Sequence, residues 1–140
     1  MQHKIKYFFL DKFNINDILD FIRSRKYFFQ LIDSKTIVSE VQVINALNRT
    51  ARYTSNNKRF KYPGNLLLLY LSYTGQIDTA INKIGIKDFT VNGIAVYDSD
   101  DDFKEFSELK GIKIIDRNIP YDSDDDFNVF SKMSYIDFLL

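Results

Sequence analysis

No cysteine occurs among the 140 residues, so disulfide scaffolds, cysteine zinc sites, iron–sulfur clusters and thiol nucleophiles are excluded together. There is a single histidine, His3, which removes most histidine-based metal hydrolysis and triad chemistry. So close to the terminus, its expected fate is fraying. The longest apolar run, residues 66–71, falls far short of the roughly 20 residues a membrane-spanning helix needs. The opening Met1-Gln2-His3-Lys4 leads into no small-residue cleavage site, so no secretory leader is read there. A soluble, cytoplasmic chain is the expectation. Glycine-rich phosphate loops, Walker motifs and nucleophile elbows are also missing. An enzymatic reading therefore has no anchor, and no catalytic residue, metal ligand or cofactor is assigned.

What is present suffices for one ordinary domain spanning residues 1–140. With 45% hydrophobic and 27% charged residues, the chain can bury a core without a metal or disulfide. The formal net charge is zero, yet the charges are segregated. Residues 1–61 hold twelve Lys or Arg against five Asp or Glu, and residues 62–140 hold seven against fourteen. Between Glu40 and Asp78 there is no acidic residue at all. Either the two halves attract and pair, or the basic half meets an anionic partner.

The pattern along the chain reads as alternating strands and helices. Residues 4–10 begin in polar–apolar alternation and turn continuously apolar, as a strand covered on both faces does. Asn14 can cap a helix carrying Ile15, Ile18, Leu19 and Ile22, and residues 27–32 form an aromatic, branched strand. Ser34 is the expected cap of a longer helix with Ile37, Val41, Ile44, Leu47 and Ala51 inward and Asn45, Asn48, Arg49 and Arg52 in water. Residues 53–61 read as a loop, and Pro63 opens a central leucine-rich helix that Thr74-Gly75 ends. The next helix directs Ile77, Ala80, Ile81 and Ile84 inward and stops at Gly85. Strands follow at residues 90–97, where Gly93 marks a bulge or a close backbone approach, and 112–116, with a helix over 103–109 between them. Residues 127–140 form a terminal helix. The fold class expected is mixed α/β, a small and largely antiparallel sheet covered by several helices.

Three features bear on function. The heptapeptide Tyr97-Asp98-Ser99-Asp100-Asp101-Asp102-Phe103 recurs letter for letter as Tyr121-Asp122-Ser123-Asp124-Asp125-Asp126-Phe127. A metal-assisted phosphodiesterase could use such carboxylates, but a calcium loop needs a central glycine that both copies lack. Ser and Asp ahead of an apolar segment are better read as helix caps. Second, Arg49, Arg52, Lys58, Arg59 and Lys61 are interleaved with Tyr53, Phe60 and Tyr62, combining phosphate-neutralising cations with rings that stack on unpaired bases. Third, the apolar end, with Met133, Tyr135, Ile136, Phe138, Leu139 and Leu140, either completes the core or docks into another protein. A protein-only interaction module without RNA binding is the alternative to the RNA reading.

The succession Ile44-Asn45-Ala46-Leu47, Leu67-Leu68-Leu69-Tyr70-Leu71-Ser72, Gln76-Ile77, Ala80-Ile81 and Gly85-Ile86 resembles the small kinase-binding subunit of the KEOPS (EKC) tRNA-modification complex, the family of the PRPK-binding protein. Lys132-Met133-Ser134 is similar to the start of that family's last helix. The resemblance implies an α/β noncatalytic subunit that attaches to the atypical KEOPS kinase. It also implies contact with the 3′ CCA end of tRNA while threonylcarbamoyladenosine is made. It places the kinase at residues 133–140 and RNA at the basic interval. The arginine usual before Gln-Ile is Gly75 here, and Lys83 and Lys87 are the candidates to replace it.

Overall fold

A computed structural model describes residues 3–56, 63–116, 132–134, 136, 137 and 139. The chain is mixed α/β, and its residues group into two compact units. One is drawn from Met1–Ser34 and Ile86–Arg117, the other from Lys35–Gly85 and Asn118–Leu140.

The first unit holds a four-stranded antiparallel sheet built from β1 (Lys4–Leu10), β2 (Phe29–Asp33), β3 (Asn92–Tyr97) and β4 (Ile112–Ile115), in the order β2-β3-β1-β4. β1 runs centrally, and where its alternation lapses Tyr7 and Phe8, which point to opposite faces, are both buried. The rows Phe29–Tyr97, Leu31–Ala95 and Leu10–Ile112 share one face with Phe8. Against that face lie Ile18 and Phe21 of α1 (Ile15–Arg23) and Phe106 of α5 (Asp100–Ser107). The Phe106 ring meets Phe8 edge-on at 5.0 Å and Phe29 at 5.5 Å. Asn14 caps α1 as expected, accepting from the amides of Asn16 and Asp17.

Gly93 is no bulge, because the β1–β3 register runs unbroken through it. It is a close approach: a Cβ there would meet the ring of Phe8, within 2.8 Å of Cε1. The strand expected at 27–32 begins at Phe29, leaving Tyr27 exposed.

The first acidic heptapeptide is a cap, with Ser99 accepting from the Asp102 amide at the start of α5. Two of its carboxylates face cations: Lys4 lies 2.6 Å from Asp100 and Arg25 lies 3.5 Å from Asp102, Arg25 also reaching Glu105 farther along α5 at 2.7 Å. His3 does not fray. Its Nδ1 pairs with Asp98, and its ring lies 4.7 Å from that of Phe28. Residues of the second heptapeptide lie outside those described.

The second unit contains α2 (Glu40–Asn56), α3 (Pro63–Ser72) and α4 (Ile77–Ile84), with α3 packed on both of the others. From Gly64 on, α3 is buried at every residue but Asn65, as a helix apolar on all sides must be. Ser34 does not cap α2; it opens a short 3-10 turn, Ser34–Thr36. The cap is Ser39, whose Oγ accepts from the Gln42 amide at 3.3 Å, while Gln42 Oε1 reaches back to accept from the Val38 amide at 2.8 Å, one residue before the position a capping box would use. Residues 53–56, expected in a loop, are helical, while 57–62 lie outside the described residues. Gly85 ends α4 as expected, in extended rather than left-handed geometry. The left-handed residue between α3 and α4 is Tyr73, with φ of 59°, ahead of the expected Thr74-Gly75 break. Residues 132–134, 136, 137 and 139 are helical, and the remainder of the expected 127–140 helix lies outside the described residues.

A methyl group at residue 93 has nowhere to go, since Phe8 is fully buried. Gly93→Ala is expected to lower stability by about 1–3 kcal/mol, read from urea unfolding midpoints. An unchanged midpoint would mean that the ring moves aside freely.

Candidate docking surface

Helix phase decides which residues of the second unit reach solvent. In α2 the buried face is Gln42, Val43, Ala46, Leu47 and Thr50, whereas Ile44 and Ala51, expected inward, are exposed. Two polar side chains occupy the core face because each finds local partners. Gln42 Nε2 donates to the Tyr73 hydroxyl at 2.9 Å, and the Thr50 hydroxyl donates to the Ala46 carbonyl at 2.8 Å.

In α4, Ala80 and Ile84 are buried, but Ile77 and Ile81 are 37% and 36% exposed, correcting the expectation that all four face inward. One turn apart, these two isoleucines form an apolar strip along the helix. Leu139, 46% exposed, reaches the turn ahead of that helix: a Cβ at Gly75 would lie 3.4 Å from its Cδ1. Met133 and Ile136, by contrast, are completely buried. In this structure they pack as core residues rather than on the surface. Tyr135, Phe138 and Leu140 fall outside the described residues.

The terminal segment is held by Asp137. Its Oδ1 accepts from the Tyr70 hydroxyl at 2.5 Å, and its Oδ2 pairs with the Arg49 guanidinium. Arg49 also donates from Nε to Asn45 at 2.7 Å and from Nη2 to the Ser134 hydroxyl at 3.2 Å. Lys132 lies over the Tyr73 ring, its Nζ 5.2 Å from the centroid. Burial pushes the Tyr70 hydroxyl well above the ordinary tyrosine range, and the hydrogen bond and charge of Asp137 raise it further. The charges of Arg49 and Arg52 work the other way.

The expected RNA-binding cations are distributed as follows. Arg49 is not the solvent-facing guanidinium its helix phase suggested, being 13% exposed and engaged by Asp137. Arg52, one turn on, is exposed, and so is Lys83 in the last turn of α4. Lys87 belongs to the other unit, half-buried, with its Nζ 5.9 Å from the Phe89 ring centroid. Lys58, Arg59 and Lys61 lie outside the described residues.

The family model for kinase binding protein CGI-121 matches residues 10–136. The chain belongs to that family. A search of curated proteins returns no significant match. The match spans α2, α3 and α4, where the segments that carried the resemblance lie. Its Gln-Ile and Ala-Ile segments contain the exposed Ile77 and Ile81. Among the described residues, no helix is long and apolar enough to cross a membrane. In this kinase-binding chain the α4 strip was the part of the exposed apolar surface that residue patterns missed, whereas Leu139 lies in the apolar end already singled out. The signal available was a helix with more isoleucines than one buried stripe can hold.

Tyr70 predicts an alkaline effect. Unfolded, it ionises near the ordinary tyrosine value of 10.0; folded, it keeps its proton to higher pH. The stability it contributes is therefore complete below about pH 10 and declines as pH rises beyond it, because the unfolded chain then binds fewer protons. Tyr97, also raised by burial and then by Asp100, adds a second share. Tyr70→Phe is expected to shrink the drop in unfolding midpoint between about pH 9 and pH 11 without abolishing it. An identical drop would exclude Tyr70.

Proposed function

We propose that this chain is the kinase-docking accessory subunit of a KEOPS-type complex, with no catalysis of its own, and that it holds the 3′ CCA end of tRNA during threonylcarbamoyladenosine formation. The observation that carries the reading is the CGI-121 match, joined to an apolar strip that the chain leaves uncovered on a helix inside the matched region. Exposed branched side chains beside a charged periphery are what a protein partner buries. Docking centres on Ile77, Ile81 and Leu139, and the two compact units work as one module within a cytoplasmic hetero-complex containing a single copy of the chain.

Support for the RNA part is electrostatic. Arg52 and Lys83 are exposed cations of the second unit, and every charged residue between Glu40 and Asp78 in the sequence, Arg52 included, is basic. Lys58, Arg59 and Lys61 extend the same basic run in sequence.

Two experiments separate the parts. Ile81→Glu and Leu139→Glu are expected to weaken binding to the KEOPS kinase of the same genome by about tenfold or more, while leaving the melting transition in place. Retained affinity in both would reject this face. Arg52→Glu and Lys83→Glu are expected to lower tRNA affinity and reduce the salt slope by about 0.7 for each phosphate no longer neutralised. If tRNA binds equally well to all variants, or not at all at low salt, the RNA role fails and a protein-only module remains.

A further inference from the structure

We infer that the Arg49–Asp137–Tyr70 cluster is a positioning device for the docking face: it sets where Leu139 emerges beside α4, and so tunes kinase affinity without touching the kinase. This rests on the docking reading above. The segment bearing Leu139 is helical and too short to hold its shape by itself. Buried Met133 and Ile136 supply burial but little directional restraint, since apolar contact is non-directional.

Direction comes from the polar groups. Both carboxylate oxygens of Asp137 are engaged, one by a hydroxyl from α3 and one by a guanidinium from α2. That guanidinium is itself braced by Asn45 on its own helix and reaches back to Ser134, one turn before Asp137. Residue 137 is thereby tied to two helices at once, and residue 139 follows two residues later at Gly75, in the turn that leads into α4. With the tie broken, the segment stays attached through its apolar residues, but Leu139 no longer has a single place.

The test uses the full chain and four proteins: wild type, Asp137→Asn, Arg49→Asp, and the charge-swapped pair Arg49→Asp with Asp137→Arg. Kinase affinity is measured by calorimetry, and tryptic cleavage after Lys132 is followed in the free protein. Each single variant is expected to lose about tenfold in kinase affinity and to be cut faster at Lys132, while keeping a cooperative melt. The swapped pair is expected to recover most of both. Faster cleavage with unchanged kinase affinity would overturn the inference and leave the docking reading standing. Affinity that falls only together with the melt, or no recovery in the swapped pair, would reduce the cluster to a structural role. Should wild type itself fail to bind the kinase, the docking reading falls first, and the cleavage pattern alone still reports the tie.

Discussion

Arg25 and Arg49 solve one problem in two places. Each guanidinium is mostly buried, 18% and 13% exposed, and a charge in that position is tolerated only when it is paired and its donors are used. Arg25 faces Asp102 and Glu105 and lies over the Phe21 ring at 3.9 Å, linking α1 to α5 in the first unit. Arg49 faces Asp137 and links α2 to the terminal segment in the second. Both pairs join an early cation to a late carboxylate, as does Lys4 with Asp100, and the early His3 imidazole meets the late Asp98. Among the described residues, part of the charge segregation along the chain thus serves folding: Lys4, Arg25 and Arg49 each bring a late carboxylate back to an early element.

That use of charge explains how far the sequence could be read. The four strands, the Asn14 cap, the proline at the start of α3 and the Ser99 cap were legible because each rests on local chemistry. The phases of α2 and α4 were not. Hydropathy placed Ile44 inside and Thr50 nowhere, yet Thr50 is buried, its hydroxyl bonded to the Ala46 carbonyl, while Ile44 faces solvent. In α4 a single helix carries Ile77 and Ile81 beside Ala80 and Ile84, and periodicity cannot say which pair a neighbour will cover. Arg49 was misplaced for the same reason: its partner lies 88 residues away.

The consequence for function is a division of labour. Of the residues expected to bind the kinase, Met133 and Ile136 are buried and anchor the end of the chain, while Leu139 is exposed. The residues that share the surface came from α4, in motifs valued for family resemblance rather than for exposure. Docking faces are hard to read from one sequence because solvent-exposed and core isoleucines look alike until the partner within the chain is known.

Tyr73 closes the turn between α3 and α4 in a backbone conformation that side chains other than glycine seldom adopt. It is kept there by its extremities, the hydroxyl meeting Gln42 and the ring lying under Lys132. Glycine at that joint would relieve the backbone and release the angle. A lineage that accepted the easier residue would exchange a hinge locked by its own side chain for a loose one. The bend between α3 and α4 would then be set by the packing around it instead of by the residue that makes it.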